Sequence, residues 1–262
     1  FLSFISKTFL VQSNYFFYFI RMKLIKLDAI DSTNIYVKEL IAKGDIKNYT
    51  AVISKYQTNG RGRNNSIWQD EPSKNLNFTL YKEFNSFKIE NKFLLNIISS
   101  ISVFKLLKKY NLKNLSVKWP NDIMTGNKKI SGILIENNIR GKLINYSVIG
   151  IGINVNQLNF KNLPKATSLH IETGVTNSPE LMAEELQQIL KLNFELMLEN
   201  PDELLNDYNK FLFEKDKTAN FLINGKIFLG KLTKVNKLGE ILIRINDGVI
   251  EKFNVDEIKL IY

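Results

Sequence analysis

The chain has 262 residues, 44% apolar and 24% charged, so it can fold into a globular protein with a substantial core. It has no cysteine, which excludes disulfides, thiolate nucleophiles and cysteine-ligated zinc and suits the cytoplasm. The formal charge of +10 suggests an anionic partner, either a small molecule or an acidic protein. The lysines form no long basic block and accompany no nucleic-acid-binding motif, so we expect no nucleic-acid partner.

Residues 1–21 are aromatic and apolar, but polar side chains interrupt them. They fit neither a transmembrane helix nor a signal peptide. At Met22 the pattern changes to that of a folded domain. We therefore interpret residues 1–21 as a non-native or disordered leader, with a membrane-associating leader as the alternative, and expect no membrane partner for the rest.

Strand and helix patterns alternate after Met22. Apolar alternation and β-branched runs predict strands over 23–30, 50–57, 75–84, 115–119, 130–137 and 145–156. Apolar residues at helical spacing predict helices over 32–44 and 91–110. Gly44 is a suitable left-handed end for the first helix because it has no Cβ to clash there.

A second long helix should begin at Ser178, with Pro179 at its first position. Its apolar stripe is predicted to contain Leu181, Leu186, Ile189, Leu190 and Phe194. A shorter helix is expected over about 201–213. From about residue 216, short strands separated by glycine turns predict a small β-barrel attached to the α/β body.

Five polar stretches lie at the predicted strand ends and turns, where binding residues are commonly found. They are DSTN (31–34), the stretch from Gln57 through GRGR to Trp68, KWPND (118–122), KKISG (128–132) and GIGINVN (150–156). Taken singly, each has an ordinary structural interpretation. DSTN can be a helix cap, GRGR a solvated surface turn and KWPND a turn made rigid by proline.

In this order, however, the five stretches resemble the biotin protein ligases, which attach biotin to carboxylase carrier domains. The likeness runs from Met22 to the C-terminus. It implies an α+β fold with a mixed β-sheet and flanking helices, as in class II synthetases, over residues 22–215. It also implies a small SH3-like domain over residues 216–262. Only 30 residues precede DSTN, so we expect the monofunctional type without an N-terminal DNA-binding domain.

The resemblance implies a two-step reaction with ATP, Mg²⁺ and biotin. The biotin carboxylate attacks the α-phosphate to give biotinyl-5′-AMP, and a lysine of a biotin carboxyl carrier domain, of the acetyl-CoA carboxylase type, then attacks that anhydride. Fixed positive charge is needed to bring two anions together, and arginine matches carboxylate and phosphate geometry. The glycines beside Arg61 and Arg63 would let this loop close over the intermediate and exclude water.

The resemblance also assigns individual residues. Those assigned to biotin are Ser32, Thr33, Asn34, Gln57, Arg61, Gly62, Arg63, Lys129, Ser131 and Gly132. Those assigned to ATP are Gly60, Arg63, Trp68, Lys118, Asn121, Asp122 and Asn154. Lys129, Arg63 and Asp122 are the catalytic candidates, and Asp122 is also the Mg²⁺ contact. Trp68 is either a stacking wall for adenine or a core residue.

The sequence departs from the family pattern at two places. Asn64, Asn65 and Ser66 stand where further basic residues are common, and Ser73 stands in place of a glycine. Two alternatives stay open: a lipoate–protein ligase of the same fold, and a non-catalytic module that binds nucleic acid or an acidic protein. The sequence does not say which carboxylase is the acceptor, or whether the chain forms a homodimer by joining sheets edge to edge.

Overall fold

The computed structural model describes residues 22–245 and 248–262, so the interpretation of residues 1–21 as a leader lies outside the described residues. A seven-stranded mixed sheet flanked by helices is followed by a five-stranded antiparallel sheet. This architecture confirms the predicted α+β fold. Within the described ranges, no helix combines the length and the apolar character needed to cross a bilayer.

The elements follow one another in the order expected from the sequence, with two additions. The strands are β1 (Leu24–Ile30), β2 (Ala51–Gln57), β3 (Leu76–Lys88), β4 (Leu115–Lys118), β5 (Asp122–Thr125), β6 (Lys128–Arg140), β7 (Leu143–Ile153), β8 (Thr218–Ile223), β9 (Lys226–Val235), β10 (Ile241–Arg244), β11 (Ile250–Phe253) and β12 (Ile258–Ile261). The helices are α1 (Thr33–Lys43), α2 (Lys92–Lys108), α3 (Leu169–Thr173), α4 (Pro179–Glu199) and α5 (Pro201–Lys210).

The large sheet has the order β1-β2-β3-β7-β6-β5-β4. Only β1 and β2 pair in parallel, and every other neighbouring pair is antiparallel. In this register Gly152 of β7 lies opposite Asn77 of β3 on one side and opposite Gly132 of β6 on the other. The middle of the sheet therefore carries a patch of backbone without side chains.

The helices cover both faces of this sheet: α2, α4 and α5 pack on one face, and α1 packs on the other, with Val37 against Val52 and Val148. Helix α2 is buried along most of its length against the sheet, α4 and α5. Helix α4 begins as predicted, since the Ser178 hydroxyl accepts from the Leu181 backbone N–H at 3.3 Å. Its buried face runs through Met182, Leu186 and Leu190 at four-residue spacing. Leu181 lies one position off that face and is 68% exposed, so its placement in the apolar stripe was wrong.

The two additions are β5 and α3. Strand β5 begins at Asp122, inside the KWPND stretch, and pairs with both β4 and β6. Strand β5 was not predicted because four residues are too few to show an alternation of apolar and polar side chains. The preceding Pro120 and Asn121 are also residue types that favour a turn. Pairing through β5 places Asp122 opposite Gly132.

Strands β8 to β12 form the C-terminal sheet, in the order β11-β10-β9-β8-β12. Its buried side chains belong to the same apolar cluster as the core of the larger sheet. Several contacts join the units directly, and two of them involve Gly239. The Trp119 indole donates to the Gly239 carbonyl at 3.0 Å, and a Cβ at Gly239 would lie 2.4 Å from the Phe93 ring. The boundary at residue 216 stays a prediction.

Candidate functional site

A cavity of about 400 Å³ lies over the glycine patch of the large sheet. Most of the residues predicted from sequence line it. They are Ser32, Thr33, Asn34, Gln57, Arg61, Gly62, Arg63, Trp68, Asn121, Asp122, Lys129 and Gly132. Gly150 and Gly152 of the GIGINVN stretch line it as well, so the fold brings together all five polar stretches.

Four predicted residues lie outside this lining. Ser131 is fully buried, and its hydroxyl donates to the Gly152 carbonyl at 2.7 Å. Asn154 is also buried, and its Nδ2 donates to the Thr167 carbonyl at 2.9 Å. Gly60 accepts from the Trp68 backbone N–H at 2.9 Å. Lys118 lines an adjoining cavity of about 420 Å³, which shares Asp122 with the first.

One end of the main cavity is polar and uncharged. Gln57 Oε1 accepts from both the backbone N–H and the hydroxyl of Thr33, at 2.8 and 3.1 Å. The Thr79 hydroxyl lies 2.8 Å from Thr33 Oγ1 and 2.7 Å from Asn34 Oδ1. The Asn34 amide donates to Glu136 at 2.8 Å. These side chains are held by one another in one arrangement of donors and acceptors.

The half-buried carboxylate of Asp70 supports this end of the cavity. Asp70 accepts from the Gln57 backbone N–H at 2.8 Å, from Asn77 Nδ2 at 2.6 Å and from Asn75 Nδ2 at 3.0 Å. Burial raises the pKa of Asp70, and these hydrogen bonds oppose the rise. Asp70, Asn75 and Asn77 were not predicted from the sequence, although Gln57 and its partner Thr33 were. Asn75 and Asn77, at the start of an apolar strand, were the available signal.

The Trp68 indole forms a wall of the cavity. Its Nε1 donates to Asn77 Oδ1 at 3.1 Å. A Cβ built on Gly152 would lie 2.4 Å from Trp68 Cζ2, and one built on Gly132 would lie 3.5 Å from Cζ3. Trp68 is half-buried and lies outside the apolar core cluster. It therefore presents an aromatic face to the cavity, and adenine stacking on it stays a prediction.

The other end of the cavity is charged. Lys129 Nζ lies 2.6 Å from Asp122 Oδ1, and Lys118 Nζ lies 3.8 Å from Asp122 Oδ2. Burial lowers the pKa of Lys118, and the Asp122 carboxylate opposes this. Arg63 reaches Asp256 of the C-terminal unit at 3.4 Å. Cations thus outnumber carboxylates where two cavities meet.

The glycine-arginine loop is held in a compact turn. The Gly62 N–H donates to the Ser66 carbonyl at 2.7 Å, and the Ser66 N–H donates to Arg63 at 3.0 Å. Asn64 and Asn65 have φ values of 51° and 59°. Asparagine tolerates this left-handed region better than other residues with a Cβ. The turn geometry thus accounts for the two asparagines that depart from the family pattern.

This arrangement suits a ligand with a neutral polar head and an anionic tail. The apolar lining of the cavity comes from the Trp68 ring and from Leu134, whereas the side chains of Phe78, Ile133 and Ile151 belong to the core on the opposite face of the sheet. Among the described residues, no group of three or more His, Asp or Glu side chains could hold a metal ion by itself. A divalent cation here would need Asp122 together with oxygens of the ligand.

The sequence model of the Biotin/lipoate A/B protein ligase family matches residues 27–154. The bifunctional ligase/repressor BirA of Salmonella typhimurium is 28% identical over 243 residues, which is 89% of this chain and 73% of BirA. The biotin protein ligase of Aquifex aeolicus, solved in complex with biotin and ATP, is 27% identical with a TM-score of 0.78, covering 91% of this chain and 98% of that one. The Leishmania major biotin protein ligase shares the fold at 22% identity and a TM-score of 0.63.

Proposed function

This chain belongs to the biotin/lipoate A/B protein ligase family, and on that premise we propose that it activates biotin with ATP and transfers it to a lysine of a carrier domain. The observation that carries the proposal is the position of Lys129. Its ammonium group lies in the charged end of a cavity whose other end is neutral and polar. A carboxylate and a phosphate could both reach it there.

Biotin fits this cavity in one direction. Its ureido ring has two N–H donors and one carbonyl acceptor, which match the fixed groups of Ser32, Thr33 and Gln57 at the neutral end. Its valeryl chain would then cross the glycine backbone beside Trp68 and Leu134, and its carboxylate would end beside Lys129 and Arg63. Lipoate carries a dithiolane ring with no N–H donor or carbonyl, so it would leave these buried polar groups unpaired.

The first step joins two anions. A carboxylate oxygen of biotin forms a bond to the α-phosphorus of ATP, and the bond from that phosphorus to the bridging oxygen breaks. The electron pair leaves with pyrophosphate. Lys129 would bridge the carboxylate and the α-phosphate and stabilise the charge that accumulates between them. Asp122 holds the Lys129 ammonium at 2.6 Å and so fixes the direction of this donor.

Mg²⁺ is expected to enter with ATP. Asp122 is the carboxylate that would contact it, since magnesium is commonly held by one or two carboxylates plus substrate phosphates. The ion would neutralise phosphate charge when bound. The remaining ATP contacts are proposed for Lys118, Asn121 and the face of Trp68.

In the second step the acceptor lysine attacks the acyl carbon of biotinyl-AMP. The carbon–oxygen bond to AMP breaks, AMP leaves with the electron pair, and the amine loses a proton, for which Asp122 is the nearest candidate base. The loop bearing Arg61 and Arg63 would enclose the anhydride until the carrier domain, proposed to belong to a biotin-dependent carboxylase, displaces it.

The test mixes the protein with ATP, Mg²⁺, biotin and a biotin carboxyl carrier domain, and follows biotinyl-AMP and the carrier by mass spectrometry. A parallel reaction replaces biotin with lipoate. The Lys129→Ala variant should lose at least ~10²-fold in the first step, the scale of removing one preorganised donor. Lys128→Ala is the matched control, because Lys128 is the exposed neighbour that does not line the cavity.

Two results would contradict the proposal. Binding of biotin or of an acidic partner without any adenylate would identify a non-catalytic module instead. Activation of lipoate in preference to biotin would assign the other substrate of the family.

A further inference from the structure

Three N–H groups converge on the carboxylate of Asp70, which lies outside the lining of the main cavity. Oδ2 accepts from the Gln57 backbone N–H at 2.8 Å and from Asn77 Nδ2 at 2.6 Å, and Oδ1 accepts from Asn75 Nδ2 at 3.0 Å. An ionised carboxylate can only accept hydrogen bonds, whereas a side-chain amide has a donor end and an acceptor end. Asp70 therefore decides which end of a neighbouring amide faces it.

Asn77 passes this orientation on to the cavity. Because its amide nitrogen faces Asp70, its Oδ1 is left to accept from Gln57 Nε2 at 3.3 Å and from Trp68 Nε1 at 3.1 Å. Asn77 is 1% exposed, so water cannot replace these partners. With the amide reversed, its oxygen would face the carboxylate and its N–H groups would face other N–H groups, and all three hydrogen bonds would be lost.

Gln57 carries the orientation one step further, to Thr33. The Gln57 amide nitrogen is engaged by Asn77, so its Oε1 faces Thr33 and accepts from the backbone N–H at 2.8 Å and from the hydroxyl at 3.1 Å. The Thr33 hydroxyl, having given its hydrogen to Gln57, can act toward a ligand only as an acceptor. The hydrogen-bond chain that begins at Asp70 thus ends in an acceptor at the neutral end of the cavity.

An acceptor fixed at this position favours one class of head group. A cyclic urea carries N–H groups beside a carbonyl, and one of these N–H groups can donate to the Thr33 oxygen. A ring without N–H groups would displace water from that oxygen and leave it unpaired, which weakens binding.

We propose that Asp70 is a positioning residue that selects the ureido head group of biotin. It sets the amides of Asn77 and Gln57, and these leave the Thr33 hydroxyl to accept from a ureido N–H. This inference rests on the proposed function. The same Asn77 oxygen also holds the Trp68 ring, so one carboxylate outside the cavity supports both the biotin end and the aromatic wall. Substituting Asp70 should therefore weaken the binding of two ligands that it does not touch.

The Asp70→Asn variant tests this inference, because it replaces one carboxylate oxygen by an NH2 group. Whichever oxygen is replaced, the new N–H groups face other N–H groups, from Asn75 on one side or from Gln57 and Asn77 on the other. We expect biotin affinity, measured by calorimetry, to fall by about 10-fold, the scale of one buried polar group left without a partner. Desthiobiotin, which keeps the ureido ring and lacks the sulfur, should lose affinity by the same factor.

Steady-state kinetics separate positioning from a general loss of folded protein. In Asp70→Asn, KM for biotin and KM for ATP should both rise while kcat stays within about twofold, because the carboxylate lies outside the cavity and touches no reacting atom. A smaller folded fraction would instead lower kcat and leave both KM values unchanged.

Four further variants complete the design. Asp70→Glu keeps a group that only accepts and should retain more biotin affinity than Asp70→Asn. Asn77→Ala breaks the hydrogen-bond chain one step later and should weaken biotin and ATP at least as much. In a Gln57→Met background, which lacks the amide, Asp70→Asn should change biotin affinity by less than about twofold. Glu71→Gln makes the same carboxylate-to-amide change at the neighbouring residue, which lies outside the cavity lining, and should change nothing.

Unchanged biotin affinity in Asp70→Asn would overturn the inference. A loss seen with biotin but not with desthiobiotin would also overturn it, because Asp70 would then act on the shape around the sulfur ring. Additive effects of Asp70→Asn and Gln57→Met would do the same. If the unmodified protein binds no biotin, the proposed function fails, and this inference fails with it. If it binds biotin and Asp70→Asn binds biotin equally well, only this inference fails.

Discussion

The Trp68 ring lies directly on the backbone of Gly152, so close that a Cβ there would fall 2.4 Å from Cζ2. The ring cannot move away freely, because its Nε1 donates to Asn77 on the neighbouring strand. The absence of a side chain at residue 152 is therefore what gives the cavity its aromatic wall. The glycine and the tryptophan form one structural unit although 84 residues separate them.

Gly152→Ala should displace the Trp68 ring. We expect KM for ATP to rise by about 10-fold, within the 1–3 kcal/mol assigned to stacking on an aromatic side chain, and unfolding free energy to fall by about 1–3 kcal/mol through overpacking. Trp68→Phe should raise KM for ATP by a similar factor, but it should lower the unfolding free energy less, because it adds no atoms to the site. If the two residues act together, the double variant will be less impaired than the sum of the single effects, measured as a double-mutant cycle. Strict additivity would count against this relationship.

The sequence predicted the order and type of nearly all the elements, because alternation or helical spacing persists along most of them. It missed β5, whose four residues begin within a turn-like motif. It also misplaced Leu181, because apolar spacing alone does not say which of two adjacent positions faces the core. Both errors come from tertiary context that a local pattern does not contain.

For the site, the family motifs identified the residues that line the cavity, but not those that support them. Asp70 and Asn77 hold Gln57 and Trp68 in place, yet each is an ordinary polar residue in the sequence. Lys259, which lines both cavities from β12, is equally inconspicuous, since it is one lysine among many in a basic chain. Its position there depends on the packing of the C-terminal sheet against the larger one. Such relationships are set by distances between segments far apart in the chain.

Asp122 forms an ion pair with Lys129, and we propose for it a second, separable role as the Mg²⁺ contact. Asp122→Asn removes the charge but keeps the shape, so Lys129 loses the ion pair observed at 2.6 Å. We expect adenylation to fall by about 10²-fold or more, the scale of losing one preorganised electrostatic contact. The Mg²⁺ concentration for half-maximal rate should rise in the variant, and a magnesium titration of initial rates measures it. If the adenylation rate falls but the Mg²⁺ concentration for half-maximal rate is unchanged, Asp122 acts only through Lys129 and does not contact Mg²⁺.

The lowered pKa of Lys118 predicts an alkaline limit to ATP use. The ammonium form binds phosphate, and burial and neighbouring cations favour its deprotonation. As pH rises, kcat/KM for ATP should therefore begin to fall below pH 10.5, the ordinary pKa of a lysine side chain. Lys118→Arg should move the fall to higher pH, since arginine stays protonated there. Initial rates at low ATP concentration, measured as a function of pH, test this. If kcat/KM falls at the same pH in both proteins, the fall is due to the titration of another group.

The lowered pKa of Lys118 also predicts that the free energy of unfolding rises with pH in the alkaline range. Between its lowered pKa in the folded protein and 10.5, Lys118 binds fewer protons in the folded state than in the unfolded state. It therefore costs stability at neutral pH, and that cost declines as pH rises through this window. Lys118→Met should flatten this part of the stability curve, which urea unfolding at several pH values would measure. A variant curve parallel to that of the unmodified protein would contradict the expectation.

Ser73 offers a test that is independent of ligand binding. It stands where the family commonly has glycine, and its φ is 61°, in the left-handed region that costs a residue with a Cβ about 1–2 kcal/mol. Its N–H donates to the Lys55 carbonyl at 2.7 Å, which holds the turn in this conformation. Ser73→Gly should therefore raise the unfolding free energy by up to ~1 kcal/mol, because the added chain entropy of glycine offsets part of the relief.

The β-branched variant Ser73→Val should do the opposite and lower the unfolding free energy by about 1–2 kcal/mol. Ser66→Gly is the matched control, since Ser66 has a φ of −68°, where glycine brings no relief and only the entropy cost of about 0.5–1 kcal/mol applies. Urea unfolding of the four proteins would measure these differences. A loss of stability in Ser73→Gly equal to that in Ser66→Gly would mean that the turn at residue 73 does not require the left-handed conformation in solution.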